Sequence, residues 1–480
     1  MPDDDVRSGD QVNDGESAHN HASGPGRPHP GLARAIRSSL DRIPAERFAV
    51  RTDTQHQEAA ALCAKTRTAP QSNGIPMAEA VKRGQVRMQP STFVTHPPHV
   101  TVPDDNRPLV APIYQSAKFT FDSVEEIERQ LHGEREGFWY SRKANPTLRQ
   151  LELTLAGLQG REDCLLTASG AAAVDLTMLA LCRQGDHVIF FAEMYKPTQH
   201  MIRRVLGRYG VRHTLLSIDD VDEIERTLAG ASTRLVVFES PSNPVLKVAD
   251  ISRITELAKK HGALTLLDNT LAGIHNHGQF DVDVFVHSLT KYVSGHGDVL
   301  GGAVIADRTI IDSLRTDMAV FGASLDAHAA FLMQRGLKTY FLRYERQCQN
   351  AMAVADYLDS RPEVSSLRYP GLKSHPQHDL ACAQQKDFGS MIALDLQGGP
   401  EAARKFTESL SLFSISASLG STESLVLAPQ LLQPRDFDAQ QLSWSAITDS
   451  TVRLSVGVED VQDLIADIEQ ALAAAGAHTS

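Results

Sequence analysis

The 480-residue chain is 42% hydrophobic and 22% charged, the balance of a globular protein long enough for two or three domains of ~100–200 residues each. Its 47 Lys+Arg against 59 Asp+Glu give a net charge of −12, which argues against nucleic acid as the main partner. No apolar run approaches the ~18 residues of a membrane span, and the acidic start Met1-Pro2-Asp3-Asp4-Asp5 lacks the basic and apolar parts of a secretory leader. Five dispersed cysteines without a C-x-x-C pair point to reduced thiols in a cytoplasmic protein, not to a disulfide frame or a zinc cage.

Residues 1–88 read as a disordered extension. Asp10–Pro30 is rich in Gly, Ser, Asn, His, Pro and Asp and has almost no apolar periodicity. Leu32–Val50 is weakly amphipathic and dotted with arginines. A transit peptide is the sharper reading of it, but the acidic lead-in favours a solvated tail. Met77 offers an alternative start that still precedes every motif below.

Ordered patterning begins near Leu109 with Pro112–Phe121, followed by Tyr140-Ser141-Arg142-Lys143-Ala144-Asn145-Pro146-Thr147 and a helical pattern over Leu148–Leu158. Taken alone, the Tyr and Arg before Asn-Pro are a turn with a solvated arginine. Cys164-Leu165-Leu166 leads to Ser169-Gly170-Ala171-Ala172-Ala173, which opens a helix running to Leu181. Small residues at a helix N-terminus let backbone N–H groups approach a phosphate, though many α/β proteins share that feature. A strand over His187–Phe191 precedes Tyr195-Lys196-Pro197-Thr198 and a helix over His200–Tyr209. Arg234–Phe238 is a further strand, entering Glu239-Ser240-Pro241-Ser242-Asn243-Pro244. The next helix shows Ile251, Ile254, Leu257 and Ala258 on one face. Strand Leu264–Leu267 ends in Asp268-Asn269-Thr270, and strand Asp283–Val286 enters the loop His287–Gly302.

That loop holds Lys291 at a strand end, where a lysine is expensive to bury unless something uses it. Ser288 and Thr290 supply hydroxyls for a phosphate. The strand-end carboxylate of Asp268 can pair with a pyridinium nitrogen, and the lysine amine can bond an aldehyde, so a pyridoxal phosphate site has its parts. A phosphate loop or a dinucleotide fingerprint fails on spacing, because no G-x-x-x-x-G-K-[ST] surrounds Lys291 and position 300 is leucine. The bland alternative is an ordinary lysine in a glycine-rich loop. His275, His277 and His287 could suggest a metal, but no cysteine or second ligand pair has helpful spacing, so none is expected. Repeated strand–helix units imply a mostly parallel sheet with ligands at its carboxyl ends.

The whole string H-S-x-T-K-Y-x-x-G-H-x-D-V-x-G-G resembles the cofactor-lysine motif of the cystathionine γ-synthase/γ-lyase family, the Cys/Met-metabolism trans-sulfuration enzymes that use pyridoxal 5′-phosphate. Matching blocks continue in order from about 90 to 475, through Arg335–Thr339, Phe413–Gly420 and Val452–Asp460. The resemblance implies an α/β fold of pyridoxal-phosphate type I. It also implies an arm over 89–139 that crosses to a partner subunit, a large cofactor domain over 140–340 and a small domain over 341–480. Lys291 and Tyr195 would be catalytic. Gly170, Ala171, Asp268, Ser288 and Thr290 would hold the cofactor, with Tyr195 on its ring. Tyr140 and Arg142 would grip the phosphate in the neighbouring subunit, and Asn243, Ser418 and Arg453 would border an amino-acid substrate. A dimer of dimers with shared sites follows by the same resemblance, with neither nucleic acid nor membrane as partner.

Three departures fall on the substrate side: Lys196-Pro197 where relatives have Gly-Gly, Ala417 where several have glutamate, and residues 428–447 without the usual Thr-His pair. Replacement at Cγ, as in a cystathionine γ-synthase, is therefore favoured over cystathionine γ- or β-lyase and methionine γ-lyase activity. A zinc hydrolase using the histidines and a cofactor-fold binding module are the rival classes.

Overall fold

The computed structural model describes residues 105, 106, 108–432 and 436–476. The expected tail over 1–88, including Leu32–Val50 and Met77, lies outside the described residues, as do 89–104 of the arm and Gln433-Pro434.

Seven strands form the larger sheet: β1 (Asp163–Thr167), β2 (His187–Phe191), β3 (Arg212–Leu216), β4 (Thr233–Glu239), β5 (Leu264–Asp268), β6 (Val284–Ser288) and β7 (Gly302–Ala306). Their order is β1-β7-β6-β5-β4-β2-β3, and all neighbours from β3 to β6 run parallel. Every residue of β2 is buried, and so is nearly all of β4, as expected of parallel strands covered on both faces. The edge departs from a purely parallel sheet. The chain leaves β6, makes the loop that carries Lys291 and returns as β7, which pairs antiparallel with both β6 and β1.

The predicted helices form with small shifts. Pro146–Gln159 starts two residues early because Asn145 caps the Thr147 N–H and Pro146 occupies the first turn. Where one helix over His200–Tyr209 was expected, a short α-helix, Lys196–His200, runs into a π-helical stretch, Met201–Leu206. Wide turns of this kind are frequent near functional sites.

A second, five-stranded sheet holds β8 (Val364–Arg368), β9 (Met391–Leu396), β10 (Ser414–Ile415), β11 (Leu425–Leu427) and β12 (Thr451–Ser455), in the order β10-β11-β12-β9-β8. Helices Gly399–Ser409 and Val461–Gly476 cover it with Phe406, Leu464, Ile468 and Leu472. The long helix Tyr340–Asp359 contributes to two apolar cores. Tyr340 and Tyr344 pack with the seven-stranded sheet, and Ala351, Val354, Ala355 and Leu358 pack with the five-stranded one.

One close approach ties the larger sheet to the start of the helix Gly170–Leu181. A Cβ at Gly302 would lie 2.2 Å from the backbone oxygen of Ser169, so only glycine fits there. Gly302→Ala should destabilise the protein by about 2 kcal/mol or more through overpacking. Gly157→Ala, in a helix with open space around the new methyl, should stabilise it by up to ~1 kcal/mol. Denaturant melts decide, and equal midpoints for the two variants would refute the packing argument.

Candidate active site

The site grows from the ends of β4, β5 and β6, which present Glu239, Asp268 and Ser288 to one cavity of about 660 Å³. The loop after β6 is folded back on itself. The Leu289 N–H donates to Gly301 O at 2.9 Å, Gly301 N–H donates to Thr290 Oγ1 at 3.1 Å, and Gly295 N–H donates to Lys291 O at 2.8 Å. Buried Arg343 locks the outer side by donating to the carbonyls of Tyr292 and Gly336. Lys291 thereby points inward, and its amine donates to Ser418 Oγ at 2.8 Å. Burial, and secondly the Arg453 cation, push the Lys291 amine down to about 8, against the opposing pull of Asp268.

Asp268 is held by Thr270, whose N–H donates to its Oδ1 at 3.0 Å. Thr270 Oγ1 in turn accepts the Ser288 N–H at 2.9 Å. Burial raises the Asp268 carboxyl, while the Thr270 hydrogen bonds and Lys291 pull it down. Glu239 stands directly opposite Asp268 in the β4–β5 register and is 2% exposed. It accepts the Tyr195 N–H at 2.7 Å and the Asn243 N–H at 3.2 Å. Burial first, and then the Asp268 charge, hold its carboxyl well above the usual range.

On the opposite wall Arg453, from β12, is 5% exposed. It donates to Asn243 Oδ1 at 2.8 Å and to Ser418 O at 2.7 Å, and its buried Nε has no partner among the described residues. Burial lowers its guanidinium to about 10. Ser418 thus serves two cations, one with its hydroxyl and one with its carbonyl. It does so at φ 101°, a backbone state that a non-glycine residue holds only when its surroundings enforce it.

Ten of the twelve residues named from the sequence line this cavity. Gly170, Ala171, Ser288, Thr290 and Lys291 lie on one side, and Tyr195, Asn243, Asp268, Ser418 and Arg453 complete it. Tyr140 and Arg142 do not line it. Both are exposed, Tyr140 bridges to Lys118, and the Arg142 guanidinium lies 5.3 Å over the Tyr140 ring. Glu239 is the residue whose role the sequence reading missed, although it ends an apolar strand just as Asp268 does. The three histidines are engaged within the protein: His275 with Tyr340, His277 with Asn269 and His287 with Gln159. Burial drives His277 down to about 4 and His287 to about 3.

Of the three segments singled out from the sequence, Pro197 and Ala417 line the cavity, together with Met201, Val205, Leu300 and Leu427, whereas none of the described residues of 428–447 does. Lys196 does not line the cavity; its amine reaches Leu431 O at 3.4 Å, in the short helix Pro429–Leu432.

Residues 95–473 match the family model of Cys/Met metabolism PLP-dependent enzymes. An L-methionine γ-lyase of Pseudomonas putida is 40% identical over 377 residues, covering 77% of this chain and 94% of the relative. A cystathionine γ-synthase of Mycobacterium bovis is 38% identical over 364 residues, covering 75% and 91%. Among solved structures, a cystathionine γ-synthase from Xanthomonas oryzae pv. oryzae, in complex with aminoacrylate and cysteine, superposes with a TM-score of 0.72 at 34% identity, covering 77% of this chain and 94% of the other. A Campylobacter jejuni protein described as an O-acetylhomoserine (thiol)-lyase, with a pyridoxyl-lysine phosphate residue, gives a TM-score of 0.72 at 31% identity, covering 78% and 97%. With its type I fold and this cavity at the carboxyl ends of its strands, the chain belongs to the Cys/Met metabolism family of pyridoxal-phosphate-dependent enzymes.

Proposed function

We propose that this enzyme catalyses replacement at Cγ of an acylated homoserine by a thiol, as a cystathionine γ-synthase does. The observation that carries the choice is Ala417, a methyl group in the cavity wall where a carboxylate could otherwise hold the distal ammonium of cystathionine.

The residues present fit pyridoxal phosphate. A Cβ at Gly170 would lie 2.7 Å from Ser288 Cβ, so glycine lets the helix Gly170–Leu181 start against the Ser288 hydroxyl. Ser169 Oγ caps Ala172, and among the described residues the Gly170 and Ala171 amides have no protein acceptor, which suits an anion. Those amides, with Ser288 and Thr290, would hold the phosphate, Asp268 the ring nitrogen, Tyr195 the ring face and Lys291 the aldehyde carbon. When bound, the cofactor supplies an electron sink for charge developing at the substrate α-carbon.

The chain's own groups do the rest. Arg453, aimed by Asn243 and the Ser418 carbonyl, orients the substrate carboxylate, and a planar guanidinium suits a bidentate grip. Lys291, steadied by Ser418 Oγ, moves protons at Cα and Cβ. Its lowered basicity brings the neutral form, the one that can accept a proton, up to on the order of a tenth of the amine near pH 7. The Tyr195 hydroxyl faces the leaving group.

A second reading has its own support. The apolar side chains of Met201, Val205, Leu300 and Leu427 also suit methionine, so elimination from methionine is the runner-up. Pro197 counts against it, because methionine γ-lyases usually place a cysteine there.

The exposure of Tyr140 and Arg142 supports a shared site in which they serve the neighbouring subunit, within a dimer of dimers. The helix Tyr340–Asp359, shared by two cores, supports a boundary near 340 between a large domain over 140–340 and a small one over 341–480. Cys164, Cys182, Cys348 and Cys382 are free thiols, which supports a cytoplasmic location. Among the described residues no helix is long and apolar enough to cross a membrane.

Lys291→Ala should fold, yet yield no borohydride-fixed pyridoxyl adduct and no turnover; an adduct or activity in that variant ends the proposed mechanism. Lys291→Ala and Arg142→Ala should complement when mixed, since one site of each hybrid dimer regains both groups. Verified hybrids without activity would remove Arg142 from the partner's site. For the substrate, kcat/KM on O-acetyl- or O-succinylhomoserine with cysteine should exceed that on cystathionine or methionine. Ala417→Glu should shift the balance towards cystathionine by less than tenfold, the worth of one solvated charge contact of ~1 kcal/mol. A wild-type preference for cystathionine or methionine refutes the choice.

A further inference from the structure

Glu239 is a buried acid that the mechanism above does not use. It ends β4 as Asp268 ends β5, the two are register partners, and both line the cavity. Its two oxygens take the Tyr195 N–H, at the start of the helix Lys196–His200, and the Asn243 N–H, on the turn after β4. Asn243 then passes the constraint to Arg453 through its side-chain oxygen. One side chain therefore fixes the two loops that carry the ring-facing tyrosine and the carboxylate-binding arginine's partner.

Two carboxylates side by side in a buried place cannot both ionise without a large penalty. Asp268 is the better anion of the pair. It is less buried, it accepts from Thr270, and it lies near Lys291. Glu239 has two backbone amides and, among the described residues, no cation in contact. We propose that Glu239 is a positioning residue that stands as a neutral carboxylic acid, holding Tyr195 and Asn243 in place and leaving Asp268 as the single anion beside it. The inference rests on the pyridoxal phosphate reading of the cavity.

The titratable and charged groups that share the cavity with Glu239 are Asp175, Tyr195, His200, Asp268, His287, Lys291 and Arg453, and of these Asp268 is the one whose charge acts on it. Tyr195 is itself raised, by burial first and then by Glu239 and Asp268.

The test compares Glu239→Gln and Glu239→Asp holoenzymes with wild type. Glutamine replaces a neutral acid atom for atom but gives up one weak acceptor. It should lose about three- to tenfold in kcat/KM, the worth of one neutral hydrogen bond. Aspartate keeps an ionisable carboxyl but is one methylene short and loosens both loops, so it should lose about a hundredfold. The second readout is cofactor retention against pH, followed by absorbance. Its acid limb reports Asp268, whose grip on the ring nitrogen is lost as pH falls through its pKa. With Glu239 already neutral, that limb stays in place in Glu239→Gln. With Glu239 ionised, removing its charge moves the limb down by about one unit.

Greater activity for Asp than for Gln, a displaced acid limb, or failure of the glutamine variant to fold would each overturn the neutral acid. Borohydride fixation and peptide mapping in wild type keep the two levels apart. A pyridoxyl label away from Lys291 defeats the cofactor reading itself. A label on Lys291 with the wrong order of variants defeats only the role of Glu239.

Discussion

The balance of charge in one cavity is the constraint on which the site depends. Lys291 and Arg453 are cations held largely out of water, and each is weakened by that burial. An amine and a guanidinium so placed repel each other, and burying them uncompensated would cost several kcal/mol per ion. Asp268 offsets part of this from the sheet side, and Ser418 accepts from both cations on the other. With Glu239 neutral, the two cations Lys291 and Arg453 stand against the carboxylates of Asp268 and Asp175 in the cavity lining, and the unpartnered Arg453 Nε remains as a donor for an anion.

The fold supplies this balance through strand ends. Parallel strands β4, β5 and β6 finish side by side, so their last residues, Glu239, Asp268 and Ser288, meet without any loop having to find the others. The antiparallel return of β7 then pins the Lys291 loop at both ends, with Gly302 pressed against Ser169 at the start of the phosphate-side helix. Arg453 and Ser418 come from the five-stranded sheet and its loops, so the two cores must hold their relation for the site to exist. The helix Tyr340–Asp359, packed into both, carries that relation, and its Arg343 also braces the Lys291 loop.

Much of this was legible in the sequence, and the reasons are local. Strands β2, β4, β5 and β6 were visible because doubly covered strands must be apolar throughout, and Asp268 and Lys291 stood out as charges at their ends. Strand β3 was not visible: Arg212, His213 and Thr214 are polar, and its place at the sheet edge leaves half of it exposed. The π-helical stretch Met201–Leu206 has no periodic signature that separates it from an α-helix at that length. Ser418 could be named from its surroundings in the sequence, but its double role could not, since it arises from a strained backbone and contacts 127 and 35 residues away. Glu239 was hidden for a plainer reason. The proline-rich turn behind it drew attention to Asn243, whereas its pairing with Asp268 needs the strand register.

Selectivity follows a different logic from chemistry in this molecule. The catalytic end is built from backbone-anchored groups at strand termini, where a change of one residue disturbs several hydrogen bonds. Pro197 and Ala417 line the cavity beside Met201, Val205, Leu300 and Leu427. Outside the lining, Lys196 reaches the carbonyl of Leu431, and Arg203 pairs with Asp436 at 2.9 Å, so the turn after Tyr195 is tied to the segment after β11. Because these two segments are in contact, exchanging either alone leaves the other's partners behind, and the effects of the two exchanges cannot add.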